Sequence, residues 1–477
     1  MPPFFALLLW VVLLAALLCF DPAKDSKSSL ASWVPVISMF IAASRNPSQW
    51  LSGEVSMSAA AFQEGNPLDR SISFALILLA IAILMSRSFN WASFFARNLA
   101  LMAFLSFALL SVLWSDFPFV AFKRWFRDLG NYLMVLVVLS DPRPLEAVRA
   151  VLRRLSYLLV PLSILLIKYY SDLGRHYSIW TGAIEYVGAA TSKNMLGLVC
   201  MVSGLFFVWD TMARWTERKR RRTKRIILVN VALIVMTLWL MKLAQSTTSD
   251  VCLFLGCMVI VASHSKVFRR NPTLLKILIP ASFCLYLILD FGLDMNGSMA
   301  AAVGKDPTLT DRTKIWAFVL GMHTNPLLGT GYQSFWLGPR LDFFWQFSGL
   351  GHLNEAHNGY LEVYLELGLI GVFLLIAFLV AGYRAICSRL APSSTLAVLG
   401  LATWMALVFY NMSEAAFEGG LLWTMLLMGA IALPERAKNR ARSVVAFDGA
   451  GAAERLSDLP LEPTGVRTAR YSKAEIS

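Results

Sequence analysis

About thirteen apolar runs, most of them long enough to cross a lipid bilayer or nearly so, divide this sequence of 477 residues. Only 15% of its residues are charged, against roughly 25% in ordinary soluble domains. We therefore predict an all-α polytopic membrane protein with roughly 12 to 13 transmembrane helices. The runs lie at residues 3–20, 31–44, 71–86, 97–114, 129–140, 154–169, 194–209, 226–243, 250–263, 277–292, 367–382, 393–411 and 418–433.

The composition also excludes several functional classes. The sequence has no P-loop, no GxSxG, no HExxH and no cysteine or histidine ligand cluster, so we predict no cofactor and no metal. Its six cysteines lie in or near apolar runs without ligand spacing, which favours small core residues over disulfides or zinc ligands. The formal charge of +13 comes from basic residues at the ends of apolar runs. That position indicates membrane topology, and we predict no nucleic-acid binding.

The loops predict how the chain is oriented. In the segment 214–225, eight of twelve residues are Lys or Arg, and loops of this kind remain in the cytoplasm. Alternation from this loop places the long segment 293–366 outside, together with 170–193 and 115–128. The domains expected are N-terminal membrane helices over 1–292, an outer loop with the catalytic segment over 293–366, membrane helices over 367–433, and a disordered cytoplasmic tail over 434–477.

One polar stretch stands at the outer mouth of a predicted span. Residues 352–371 read HLNEAHNGYLEVYLELGLIG, and polar residues this dense are costly beside a membrane unless they act in chemistry or line water. On a continuous helix Asn354, Asn358, Glu362 and Glu366 would share one face and His357 the next. An amphipathic collar would show the same pattern. We predict that His357, with an ordinary imidazole pKa near 6.5, takes a proton, and that Asn358, Tyr360 and Glu362 support it.

Basic residues on the same side predict an anion site. Arg312 and Lys314 lie on the outer side, where positive charge is disfavoured, although a solvated loop charge would also explain them. Three further cations, Lys123, Arg124 and Arg127, lie within about one helical turn and can converge on one diphosphate, unless they extend toward lipid head groups. Lys193, at the start of the next outer span, is a weaker candidate for the same role. Aromatic residues in 332–347 suit either sugar stacking or anchoring at the membrane interface.

Several motifs occur in a familiar order. DRTKIW, NPLLGTGYQSF and AHNGYLEVYLELGLIGV follow one another between an outer loop and a span. This region resembles the shared domain of the O-antigen ligase and polysaccharide polymerase family. EGNPLDR at 64–70 and WSDFPFVAFKRWFRDLGNYLMVLVVL at 114–139 are similar to the exopolysaccharide production branch of that family, found in rhizobia and their relatives.

The resemblance implies a C-type, all-helical glycosyltransferase of the bacterial inner membrane. Such an enzyme moves an oligosaccharide from undecaprenyl diphosphate to an acceptor hydroxyl at the periplasmic face, without a metal or a nucleotide sugar. The histidine of the HN motif acts as base in the family, and outer arginines hold the diphosphate. These roles carry over to His357 and Arg312, and less directly to Arg124 and Arg127.

Two positions depart from the family pattern. An arginine is often found after serine at the outer start of the middle span, where this chain reads QSTTSD at 245–250, and Ser192 replaces a histidine before Lys193. The diphosphate contacts must then come from Lys193 and the cations of 123–127.

The expected function is polymerisation of lipid-linked repeat units into exopolysaccharide. A ligase that passes finished glycan to lipid A core, and a flippase for the lipid-linked sugar, remain open alternatives. The expected partners are the undecaprenyl-diphosphate-linked oligosaccharide, membrane lipids, and chain-length and export proteins of a polysaccharide pathway.

Overall fold

The computed structural model describes residues 1–22, 30–52, 65–87, 89–177, 182–293, 312–390 and 395–433. The predicted cytoplasmic tail, 434–477, lies outside the described residues. So does the first part of the predicted outer loop, from residue 294 to Asp311. All the residues proposed above for catalysis or diphosphate binding are described.

The described chain is built almost entirely of helices, which confirms the predicted all-α class. A single two-stranded antiparallel pair, β1 with β2, places His176 opposite Glu185. The elements are α1 (Pro3–Cys19), α2 (Trp33–Ala43), α3 (Pro47–Ser52), α4 (Pro67–Ser86), α5 (Trp91–Arg97), α6 (Leu99–Leu110), α7 (Pro118–Leu139), α8 (Pro144–Tyr169), α9 (Ser171–Gly174), β1 (Arg175–Tyr177), β2 (Ile184–Tyr186), α10 (Lys193–Arg214), α11 (Arg221–Ala244), α12 (Thr247–His264), α13 (Lys266–Arg270), α14 (Pro272–Leu293), α15 (Arg312–Leu320), α16 (Gly338–Phe347), α17 (Gly359–Ser388), α18 (Thr395–Tyr410) and α19 (Gly420–Ala430).

Every predicted apolar run coincides with a helix of the described chain. Seven helices are long and apolar enough to cross a membrane, and the pair α5–α6, bent by 93°, makes an eighth if it counts as one span. Four shorter apolar helices contain the runs at 3–20, 31–44, 393–411 and 418–433. The remaining run, 129–140, is the second half of α7. The protein is therefore a multi-pass membrane protein.

Burial separates the central helices from those at the edge. In the most apolar stretch of α8 and of α10, 83% and 78% of the residues are buried, whereas the values for α4 and α14 are 17% and 11%. A helix that is apolar on all sides is stable only where protein or lipid covers it. Protein therefore surrounds α8 and α10, and the exposed apolar sides of α4 and α14 are suited to lipid.

Helix α17 is broken at Gly368, and this break holds the outer loop in place. Gly368 has φ 64°, a left-handed conformation that favours glycine. A Cβ on it would lie 2.2 Å from the carbonyl carbon of Leu327. The loop 326–331 fills the break, since Gly331 donates its N–H to the Glu366 carbonyl at 2.8 Å. The NPLLGTG motif thus supplies hydrogen-bond partners for the backbone groups at the break in the helix.

At its C-terminal end α10 reaches a buried ion network. Asp210 accepts a hydrogen bond from Arg153 at 2.7 Å and another from Arg214 at 3.0 Å. Arg153 also lies 3.5 Å from Asp21, which pairs with Arg154 at 2.8 Å. Both Asp210 and Arg153 are almost fully buried. The network links α1, α8 and α10, and it lies at the end of the bundle that the basic loop predicts to be cytoplasmic.

Candidate active site

The HNG sequence at 357–359 forms a tight turn that begins α17. Asn358 caps the helix, because its side-chain oxygen accepts N–H groups from Tyr360 and Leu361, both at 3.1 Å. A Cβ on Gly359 would lie 2.0 Å from the amide oxygen of Asn411, so only glycine fits there. His357 precedes the helix with φ 49°. The expectation of one continuous helix through residues 354–366 is therefore wrong, since the cap directs His357 away from the helical faces.

His357 lies between two carboxylates. Its Nδ1 is 3.0 Å from Oε1 of Glu355 and 3.3 Å from Oε2 of Glu414. Within the described residues its Nε2 has no hydrogen bond, and 19% of its side chain is exposed. Once the ring is neutral, an imidazole held by Nδ1–H to a carboxylate presents Nε2 as the proton acceptor.

The pKa of His357 differs from the ordinary value assumed from the sequence. Burial lowers it, but the hydrogen bonds and negative charges of Glu355 and Glu414 outweigh that effect and raise the pKa to about 10. Glu355 is only partly buried, and its bond to His357 and the nearby charge of Arg312 hold the pKa of Glu355 below its usual value. The resting site therefore contains an imidazolium paired with two carboxylates.

Glu414 joins His357 to Arg312. Its Oε1 accepts hydrogen bonds from Arg312 Nη2 at 2.5 Å and from Asn194 Nδ2 at 2.9 Å. Glu414 lies between α18 and α19 and is only 5% exposed. The structure thus brings together two residues that are 45 positions apart in sequence through a third that sequence reasoning missed. The position of Glu414 between the last two apolar runs could have identified it as a site candidate from the sequence, because buried carboxylates next to membrane spans require partners.

Arg312 is the first residue of α15, whose apolar side fixes its position. Ile315 and Val319 pack into a buried core with Phe335 and Phe344, and the indole of Trp316 donates to the carbonyl of Ala356 at 2.8 Å. The Trp316 bond ties α15 directly to the residue before His357. Arg312 and His357 are therefore presented by one packed unit.

The supporting residues bond to the backbone around His357. Glu362 accepts the N–H of Ala356 and the indole N–H of Trp336, the latter at 2.8 Å. Tyr360 donates its hydroxyl hydrogen to the carbonyl of Val408 at 3.1 Å. These contacts hold the turn against the neighbouring elements, while the supporting roles themselves remain predictions.

The cations on α7 contact different partners in the structure. Lys123 Nζ lies 4.8 Å from the centre of the Phe119 ring, whereas Arg124 donates to the carbonyl of Gln333 at 2.6 Å. Arg127 pairs with Asp128 at 2.9 Å and also reaches the Gln333 side chain at 3.2 Å. Lys123 thus has a different neighbour from the two arginines, which both contact Gln333, and the role of all three toward a diphosphate remains a prediction.

Acidic side chains surround Gln333, the residue that both arginines contact. Gln333 donates its backbone N–H to Glu366 at 2.9 Å, and its side-chain amide donates to Asp128 at 2.6 Å. Glu418 lies nearby, and burial together with the charge of Glu366 raises the pKa of Glu418 well above its ordinary value. Since Glu362 and Glu366 are one turn apart on α17, this second group adjoins the turn that carries His357. Asp128 pairs with Arg127, while Arg124 donates to the carbonyl of Gln333 with Asp128 and Glu366 nearby.

Lys193 also has an acidic partner. It pairs with Glu185 on β2 at 2.8 Å, with 43% of its side chain exposed. Its neighbour Asn194 is the residue that reaches Glu414. Lys193 thus lies beside the histidine site without contacting it, and its role toward a diphosphate remains a prediction.

The aromatic residues of 332–347 mostly form core. Tyr332, Phe335, Trp336 and Phe344 are all at most 7% exposed, so neither sugar stacking nor interface anchoring applies to them. Phe343 is 47% exposed and remains available. The reason is that α15 and α16 pack on this loop, which the sequence pattern did not show.

Glu355, His357 and Glu414 each offer a donor atom of the type that binds metals, within 4.8 Å of one another. In the described structure Arg312 occupies Glu414 Oε1, and Nδ1 of His357 faces both acids. The arrangement is that of a charge-balanced, hydrogen-bonded cluster. The prediction that no metal is required stays a prediction.

Two comparisons with known proteins agree with the motifs. A family model described as O-antigen ligase matches residues 178–376, a range that includes Lys193, Arg312 and His357. The exopolysaccharide production protein ExoQ of Rhizobium meliloti is 26% identical over 312 residues, which cover 62% of this chain and 67% of that protein. The predicted resemblance is therefore confirmed: this multi-pass membrane protein has a region similar to the O-antigen ligase family and is similar to an exopolysaccharide production protein.

Proposed function

We propose that this protein polymerises lipid-linked oligosaccharide repeat units into exopolysaccharide at the periplasmic face of the bacterial inner membrane. The observation that carries the proposal is the cluster in which Glu414 joins a histidine with an open Nε2 to an arginine. A base beside a diphosphate-binding cation is what glycosyl transfer from a polyprenyl diphosphate requires. The likeness to ExoQ supports the polymer-forming branch.

The reaction proposed is an inverting displacement at the anomeric carbon. The acceptor hydroxyl forms the new C–O bond while the bond to the diphosphate oxygen breaks, and the diphosphate leaves with the electron pair. The hydroxyl proton passes to Nε2 of His357, which must be neutral at that moment. Arg312 stabilises the negative charge that develops on the leaving diphosphate, an effect worth about 3 kcal/mol for one well-placed donor.

Arg124 and Arg127 are proposed as secondary contacts for the carrier or the sugar. Both are on α7 and hydrogen-bond to Gln333, which follows the loop 326–331 that fills the break in α17. Because Asp128 and Glu366 already offset their charge, we assign the main diphosphate contact to Arg312. Lys193 is exposed enough to contribute from the opposite side.

Ligation is the second candidate, because the matching family model is described as O-antigen ligase. In that reaction the same donor chemistry transfers finished glycan to another acceptor. A flippase is a third possibility, and it differs in requiring no bond breakage. Chain-length and export proteins of the same pathway are proposed partners of a polymerase.

Reconstitution in proteoliposomes containing undecaprenyl-diphosphate-linked repeat units tests the proposal. We expect a ladder of longer lipid-linked chains and release of free undecaprenyl diphosphate, also in the presence of a metal chelator. Transfer only to added lipid A core would replace the polymerase with the ligase. Movement of the lipid across the bilayer without any new glycosidic bond would reject both enzymes in favour of transport.

A further inference from the structure

We propose that Glu414 is a positioning residue that holds His357 in place and competes with the donor diphosphate for Arg312. The inference rests on the proposed function and deepens it, because it assigns a role to a residue beyond the matched family region of 178–376. It concerns binding of the donor and orientation of the base, and Glu414 itself contacts no reacting atom.

The first support is that the two oxygens of this carboxylate serve different partners. Oε1 accepts from Arg312 and from Asn194, while Oε2 faces Nδ1 of His357. With Arg312 and protonated His357 positive and with Glu414 and Glu355 negative, two positive charges meet two negative charges. Removal of Glu414 would leave an excess positive charge in a nearly buried site, which attracts an anion more strongly.

The second support is that the backbone fixes the carboxylate. Glu414 donates its N–H to the carbonyl of Tyr410 at 3.0 Å, and its own carbonyl accepts the N–H of Gly359, also at 3.0 Å. Asn411 accepts the N–H of Ala416 through its side chain at 2.8 Å. The segment between α18 and α19 is therefore hydrogen-bonded to the turn that carries His357. Glu414 and His357 hold their relative positions through the backbone as well as through the ion pair.

The third support is the chemistry of the guanidinium group. Arg312 donates an Nη2 hydrogen to Glu414, so a diphosphate that approaches the same side of the guanidinium meets the negative carboxylate beside it. The carboxylate and the diphosphate then compete for the charge of Arg312. The carboxylate that orients the base consequently lowers the affinity for the donor.

Glu355 supplies a matched control. Its carboxylate faces the same Nδ1 of His357 at 3.0 Å, and its side chain is 43% exposed. The described structure has no hydrogen bond between Glu355 and Arg312, although the charge of Arg312 acts on it. Tyr410 on α18 is the further titratable group close to these acids and to Arg312. Loss of the Glu355 charge should affect the base and barely affect the donor.

The test compares Glu414→Gln with Glu355→Gln in reconstituted full-length protein. Glu414→Gln should lower the donor KM about tenfold, because the carboxylate no longer competes for Arg312, and should decrease the plateau kcat reached at high pH, because His357 is held less well. Wild-type kcat should rise with pH toward about 10, where His357 loses its proton. Both variants should move that rise to lower pH by roughly one to two units, whereas Glu355→Gln should leave the donor KM nearly unchanged. An unchanged or higher donor KM in Glu414→Gln would overturn the proposal.

Binding of inorganic diphosphate to the purified full-length protein separates this inference from the proposed function. Tighter binding in Glu414→Gln supports the competition even if the wild-type protein shows no transfer, a result that would sink only the proposed function. If Glu414→Gln does not fold, Glu414→Asp retains the charge but is too short to reach both partners. Either diphosphate affinity or the pH profile must then change. No change in either would contradict the role assigned to Glu414.

Discussion

Each end of α10 carries a polar cluster of buried acids and bases, and the two clusters differ in structure. At its N-terminal end Asn194 bonds to Glu414, which holds Arg312 and His357. At its C-terminal end Asp210 is the centre of a network of arginines. Both clusters bury acids against bases beside an apolar helix, so charge and burial alone do not distinguish them.

The two clusters differ in their solvent exposure and in how their central side chains are bonded. The side chains of Asp210 and Arg153 are at most 1% exposed, and each is bonded to more than one partner of opposite charge. At the other end, 19% of the His357 side chain is exposed, and its Nε2 has no bond within the described residues. A closed ion network stabilises helix packing, whereas a held imidazole with one open nitrogen can exchange a proton with a substrate.

The largest expected effect is the loss of glycosyl transfer when His357 is removed. His357→Ala should reduce glycosyl transfer by roughly 10² to 10⁴-fold, because the proton acceptor is removed while the packed turn around Gly359 remains. His352→Ala is the matched control, since His352 only lies against the Trp345 ring at 4.8 Å. It should retain activity within about threefold. Chain growth in proteoliposomes measures both, and normal polymer from His357→Ala would end the general-base assignment.

The second prediction tests the closed cluster. Asp210→Ala leaves Arg153 buried without its nearest acid, so stability should fall by about 3 to 5 kcal/mol. Glu217→Ala removes an acid from an exposed pair with Arg220 and should leave stability nearly unchanged. Thermal unfolding in detergent compares the two variants. At a temperature where Asp210→Ala is still folded, its transfer rate per folded molecule should match the wild type; a specific loss of rate would mean that the two ends are coupled.

The smallest effect concerns the geometry of Arg312. Arg312→Lys keeps the positive charge but loses the planar pair of donors, so the donor kcat/KM should fall about tenfold. The matched change Arg220→Lys, in the exposed pair with Glu217, should have no effect on transfer. Steady-state kinetics with lipid-linked repeat units measures the difference. Equal kcat/KM for Arg312→Lys and the wild type would indicate that Arg312 acts only as a charge.

Much of the architecture could be predicted because its causes are local. Each apolar run became a helix, since hydropathy depends on neighbouring residues and not on the fold. The glycines at the site have tertiary reasons instead: Gly368 permits the break that the loop 326–331 fills, and Gly359 leaves room for Asn411. The starting position of α17 was wrong because the cap at Asn358 was read as part of a continuous helix.

The sequence by itself determined the membrane class, the succession of helices, the family resemblance and the candidates His357 and Arg312. Tertiary structure alone decided how these candidates are paired. It placed Glu355 and Glu414 on one nitrogen of His357, gave Arg312 an acidic partner, and buried most of the aromatic residues offered for sugar. Hydropathy and helix capping arise within a few residues of chain, whereas a charge's partners and its pKa depend on distances between segments that only packing brings together.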